Sequence, residues 1–198
     1  MSKGDATRDR ILGEALRVAS RDGLDGLSIG GLAETLGMSK SGLFGHFGSK
    51  EDLQLEVLRS AARRFEDTVV RPAFRAPRGL PRIRQLFENW IRWANSADTA
   101  YGCLFVAASV ELDDRPGAAR DFVVEVQKQL LEAIARSVQM AVEAGHFRRD
   151  TDGRQFAFEL YGLLLVYHQA KRLLREPRAE AIARSGFERL VASAAAPS

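Results

Sequence analysis

The chain has 198 residues, 45% hydrophobic and 28% charged, with a formal net charge of +3. That is the make-up of a folded globular protein long enough to bury its own core, as one large domain or two small ones. The lone cysteine, Cys103, excludes an intramolecular disulfide, and with three histidines it makes no closed zinc site. The small basic excess permits nucleic-acid binding without requiring it. The longest apolar stretch, Leu160 to Tyr167, falls far short of the roughly 18–20 residues that span a bilayer. The opening Met1-Ser2-Lys3-Gly4-Asp5 is polar with no apolar run behind it, so the expectation is a cytoplasmic protein without a membrane partner.

No segment alternates apolar and polar residues with β-branched enrichment, and the expected fold class is all-α. A first helix is predicted from an N-cap at Thr7 to about Asp22, with Ile11, Leu12, Ala15, Leu16 and Ala19 on its apolar face and Gly23 ending it. Ser28 opens a second, short helix that buries Ile29, Leu32, Ala33 and Leu36 and stops at Gly37. Ser39 caps a third, Lys40 to Phe47. Ser49 opens a fourth, with Asp52 three residues on as a capping-box signal and a stripe of Leu53, Val57, Ala61, Phe65 and Val69. Pro72, Pro77, Gly79 and Pro81 then break the pattern and mark a boundary. Beyond them, helices are predicted at about 81–96, 102–112, 116–144, 153–175 and 179–194, with a small-residue tail from Ala192 that should fray.

The second and third helices are joined by Gly37-Met38-Ser39. Two short amphipathic helices around a glycine-led turn make the helix-turn-helix pattern, whose second helix enters the major groove. Gly37 ends one helix in the left-handed conformation, and Met38 fills the corner. Lys40 and Ser41 begin the third helix, where side chains reach base edges. Ser28, Ser39, His46 and Lys50 are placed to meet phosphate oxygens.

The run Gly37-Met38-Ser39-Lys40-Ser41-Gly42-Leu43-Phe44-Gly45-His46-Phe47-Gly48-Ser49-Lys50-Glu51-Asp52-Leu53 resembles the DNA-binding domain of TetR-family transcriptional regulators. The opening from Arg8 to Phe65 also looks like that family's first four helices. The resemblance implies a DNA-binding domain over residues 1–50, a connecting fourth helix at about 50–70, and an effector-binding and dimerisation domain over 71–198. It further implies a repressor-like dimer on double-stranded operator DNA, released when a small effector moves the fourth helix. By position, Lys40 and Ser41 match base-contacting residues. Ser28, Ser39, His46 and Lys50 match phosphate contacts, and Leu43 and Phe47 match the anchors of the recognition helix.

Three positions depart from the family pattern. Phe44 replaces the usual Tyr and loses a phenol–phosphate hydrogen bond, though its ring can still pack on sugar or a thymine methyl. Gly42 and Gly45 each cost about 1 kcal/mol relative to Ala. Either they permit a closer backbone approach to DNA, or their surroundings merely tolerate them. Fewer side chains then remain to read bases, so Lys40 carries a large share and DNA shape the rest.

Other constellations are weaker. Gly42, Gly45 and Gly48 lack the strand and spacing of a phosphate-binding loop. Arg71, Arg75, Arg78, Arg82 and Arg84 read as a solvated loop or as contacts to flanking DNA. The aromatic residues of the C-terminal part are mostly core, but Trp90, Trp93, Phe122 and Tyr161, with Cys103, are candidates to line an effector cavity for an apolar or aromatic ligand. Cys103 at a helix start invites a sensing role, against the commoner buried thiol. Leu160 to Tyr167 is apolar almost all round, which points to a homodimer through the helices at about 153–175 and 179–194. The alternative is a helical enzyme or ligand-binding protein with an incidental helix-turn-helix. Its acidic candidates, Glu111, Asp113, Asp114, Glu125 and Glu159, form no nucleophile–base arrangement, so no catalytic residue, metal or cofactor is assigned.

Overall fold

The computed structural model describes residues 3–196. Its regular elements are helices: α1 (Lys3–Asp22), α2 (Ile29–Leu36), α3 (Lys40–Phe47), α4 (Lys50–Phe65), α5 (Arg71–Ala73), α6 (Leu80–Ala94), α7 (Leu104–Glu111), α8 (Ala118–Glu143), α9 (Gly153–Arg172) and α10 (Ala179–Ala194). A π-helical turn, Glu66–Val70, joins α4 to α5. Two compact units form: residues 1–65 with 97–126, and 66–96 with 127–198. Among the described residues no helix is long and apolar enough to cross a membrane.

The first unit is built on the apolar stripe of α1. Ile11, Ala15 and Ala19 are fully buried, as are Leu53, Val57 and Leu58 of α4, and all share one core with Leu104 and Ala108 of α7. The α1 helix begins at Lys3, about a turn ahead of the predicted cap at Thr7. No proline interrupts residues 3–7, and Arg8 fastens this end, donating to the His46 carbonyl at 2.9 Å and to Glu56 at 2.7 Å.

Where α1 ends, the chain must turn sharply, and Gly23 does so at φ +80°. The next two residues have every backbone polar group matched. Glu111 accepts the Leu24 N–H at 2.8 Å and the Asp25 N–H at 2.6 Å. Gln54 donates to the Leu24 carbonyl at 2.8 Å, and Lys50 to that of Asp25 at 3.0 Å. Asp25 also pairs through its side chain with Arg115. The positive φ calls for glycine there, and a Cβ on Gly23 would lie 3.0 Å from Glu111 Oε2 and press on that carboxylate. Residues 97–126 thus pack with the first four helices, whereas the sequence division at 71 groups them with the later ones.

In the second unit the helical path does not stop at Pro72. It runs on through the π turn to Ala73, and the break falls at residues 74–79, with Gly79 at φ +84°. A proline is accepted because the π turn has already interrupted the ordinary hydrogen-bond ladder. Asn89 of α6 is 2% exposed and donates to the Val69 carbonyl at 2.9 Å, while its own carbonyl accepts from Gln85 and Arg92. The rings of Phe87 and Phe187 stack with centroids 4.1 Å apart.

The helices α9 and α10 pack side by side. Leu160, Leu164 and Tyr167 of α9 are buried, but Phe158 and Val166 are 72% and 63% exposed, and Ile182 of α10 is 50% exposed. Residues 192–196 do not fray as predicted. Ala194 is buried and accepts the Arg148 N–H at 2.9 Å, and Ala196 donates to the His146 carbonyl at 3.1 Å, closing a short antiparallel bridge. The last two residues, 197 and 198, lie outside the described ones.

Candidate nucleic-acid interface

The α2–turn–α3 corner follows from local rules. Gly37 sits at φ +62°, ψ +34°, and the Met38 N–H reaches back to the Ala33 carbonyl at 2.9 Å. This is the glycine-terminated helix end in which the turn's own N–H groups satisfy carbonyls of the last helical turn. Met38 is half-buried against the core, and Leu43 and Phe47 anchor α3 from beneath.

Both helices start on serine caps. Ser28 Oγ accepts the Gly31 N–H at 3.0 Å, and Ser39 Oγ accepts the Gly42 N–H at 3.1 Å. An accepting hydroxyl keeps its own O–H to donate. For Ser28 and Ser39 this leaves a donor beside a helix N-terminus, an arrangement that suits an anionic oxygen. Ser39 and Ser41 lie with their hydroxyl oxygens 3.3 Å apart. Ser49 caps α4, accepting the Asp52 N–H at 3.0 Å and donating to the Asp52 carboxylate at 2.7 Å.

Lys40 is exposed, and its stem folds over the start of α2. Its Cε lies 3.3 Å and its Nζ 3.6 Å from where a Cβ on Gly30 would be. A cation over the positive end of a helix gains from an anion placed beside it. Gly30 therefore belongs to this surface, although the sequence reading passed over it. Its signal was present: two adjacent glycines, Gly30 and Gly31, in the first turn of a helix are costly unless something approaches closely.

The remaining assigned residues occupy the same head. Ser41, Gly42, Phe44 and Gly45 are exposed on α3, Phe44 by 52%. His46 is half-buried, and its carbonyl accepts from Arg8. Lys50 is held by the Asp25 carbonyl rather than swinging free.

The candidate effector residues divide between the two units. Trp90 and Tyr161 meet edge to face at 6.1 Å, and Trp93 is buried nearby in sequence, all in the second unit. Cys103 and Phe122 belong to the first, where Phe122 packs against the head core. The thiol of Cys103 departs from the lowered value a helix start suggests. Burial pushes it up, and the backbone N–H groups of Val106 and Phe105 only partly oppose that. Among the basic residues near the prolines, Arg71 pairs with Glu66 and Asp67, Arg84 with Glu188, and Arg82 covers the Phe74 ring. Among the described residues no three histidine, cysteine or carboxylate side chains gather as a metal site.

This geometry defines a helix-turn-helix DNA-binding protein. Residues 11–57 match the family described as bacterial regulatory proteins, tetR family, and residues 79–187 match the tetracyclin repressor-like C-terminal domain. An uncharacterized HTH-type transcriptional regulator of Bacillus subtilis, YezE, is 26% identical over 145 residues, spanning 72% of this chain and 74% of its own. The crystal structure of a TetR transcriptional regulator from Chloroflexus aurantiacus superposes with a TM-score of 0.85 at 22% identity, over 97% of this chain and 96% of that one. That of AibR in complex with isovaleryl coenzyme A and operator DNA gives a TM-score of 0.69 at 22% identity, over 88% and 95%. The chain belongs to the tetR family and is a DNA-binding transcriptional regulator.

Proposed function

We infer that this regulator is a sequence-specific repressor that works as a homodimer and leaves its operator when a small apolar or aromatic effector binds. The observation that carries the reading is the capped corner of α2 and α3, with Lys40 and Ser41 facing outward at the start of α3. In this reading Lys40 and Ser41 meet bases, with Gly42, Phe44 and Gly45 beside them. Ser28, Ser39, His46 and Lys50 meet phosphates. Residues 1–50 form the reading head, 50–70 connect it, and 71–198 hold the effector and the partner copy, in the cytoplasm.

A single recognition helix offers too few base contacts for useful specificity, and two half-sites supply the rest. The exposed apolar residues Phe158, Val166 and Ile182 support a dimer through α9 and α10, and a Cβ at Gly162 would meet nothing, leaving room for a close partner. The effector reading draws on Trp90, Trp93 and Tyr161 in the second unit, with Cys103 and Phe122 as further candidates. AibR, of the same fold, is seen with isovaleryl coenzyme A and operator DNA, which supports a regulator that takes both a small ligand and an operator. The protein acts by competition between a DNA-competent and an effector-bound conformation, without turnover.

The test is fluorescence anisotropy with the DNA upstream of the protein's own gene, against random duplex at about 150 mM salt. Binding that survives the competitor supports the reading, and the same assay screens effectors for release. Binding that random duplex abolishes, with no sequence enriched from a random pool, contradicts it.

A further inference from the structure

Resting on the reading that α3 enters the major groove, the geometry of the α3 glycines bears on their two explanations. The helix buries Leu43 and Phe47. At about 100° per residue, Ser41, Gly42 and Gly45 lie on the side turned away from them. That outward face carries almost no side chain, and Phe44 borders it, half-exposed.

The glycines of this stretch are not equivalent. Gly48 has φ +73°, a backbone that side chains resist. A Cβ on Gly42 would lie 3.0 Å from the capping Ser39 Oγ. Gly45 has neither reason: it is in ordinary helical conformation, and a Cβ there would meet nothing within 4 Å. It weakens its own helix and nothing inside the molecule calls for it. A helix face without side chains lies closer to whatever it meets. On the floor of the major groove the apolar feature is the thymine C5-methyl, and the apolar group at the edge of this face is the Phe44 ring.

We propose that α3 is a close-approach reader of thymine: Gly45 brings its backbone to the base edges, and the approach seats the Phe44 ring on a thymine methyl. Selection from a random duplex pool with the full-length protein yields the operator. Binding is then measured with uracil replacing thymine, one position at a time. Loss of one methyl in each half-site, two per operator, weakens the wild type about fifteenfold, the factor for two buried methylene-sized groups. The Phe44→Ala variant no longer distinguishes the two bases. Gly45→Ala raises the unfolding midpoint by about 2–4 °C yet weakens operator binding roughly tenfold, as overpacking does. A purely structural role for Gly45 cannot give those opposite signs. Uracil tolerated at every position, a uracil penalty that survives Phe44→Ala, or Gly45→Ala with full operator affinity overturns the proposal. A pool that yields no sequence overturns sequence-specific reading itself, and this proposal with it.

Discussion

Arg8 ties the first helix of the chain to the last turn of the recognition helix, donating to the His46 carbonyl at 2.9 Å. The same guanidinium pairs with Glu56 at 2.7 Å and lies 4.9 Å over the Phe47 ring. One side chain thus fixes α3 against α1 and α4 at once. A carbonyl at a helix end needs a donor, and a half-exposed cation is a modest but directed one. Arg8→Ala should lower stability by roughly 1–2 kcal/mol and weaken binding to all DNA sequences by a similar factor. Urea unfolding and anisotropy read the two effects. Unchanged DNA binding would separate Arg8 from the placement of α3.

Glu111 holds the turn that leads from α1 to α2. Removing its carboxylate leaves the Leu24 and Asp25 N–H groups without their partners, and Glu111→Ala should cost about 1–3 kcal/mol. Hydrogen exchange at these two amides should quicken well before the global unfolding limit. Slow exchange in the variant would show that another group holds the turn.

Asn89 serves the π turn in the same way. Asn89→Leu removes the donor to Val69 and leaves that carbonyl without its side-chain partner, an expected loss of about 2 kcal/mol. Asn89→Asp should be worse, because it sets a buried carboxylate against a carbonyl. Thermal unfolding of the two variants checks the order. The reverse order would mean that the acceptor side of Asn89, facing Gln85 and Arg92, matters more.

How much of this was legible follows the range of the interaction. The α2–α3 corner and the start of α4 were readable because each device, Gly37, Ser28, Ser39 and Ser49, acts within four residues of its target. Helix limits beyond residue 80 also came within a few residues, because apolar spacing is local. Glu111 was not readable: its targets lie 86 and 87 residues away, and a carboxylate near Asp113 and Asp114 looks like a solvated helix end. The π turn was hidden too, since its stabilising partner Asn89 sits on a later helix. In the site, Lys40 was legible but its rest against Gly30 was not, because only the folded corner brings those two together.

Acid sensitivity follows from Glu56. Burial pushes this carboxyl up, but hydrogen bonds from Arg59 and Arg8 outweigh it, and the net shift is downward. A carboxyl held low in the folded state contributes stability above its unfolded value, about 4.3, and that contribution is lost as pH falls through the folded value. Glu14, held low chiefly by its hydrogen bond from Arg17, adds in the same sense. The unfolding midpoint should therefore drop as pH falls below about 4.5, less steeply in Arg8→Ala. An equally steep fall in that variant would remove Glu56 from the account.

The central claim is that the start of α3 reads bases while the start of α4 holds phosphate. Anisotropy of Lys40→Ala and Lys50→Ala, on operator and random duplex across a salt series, tests it most directly. Lys40→Ala should lose about 1–3 kcal/mol on operator and little on random DNA. Lys50→Ala should weaken both alike and lower the salt slope by about one per head. Equal losses on operator and random duplex for Lys40→Ala would contradict the assignment.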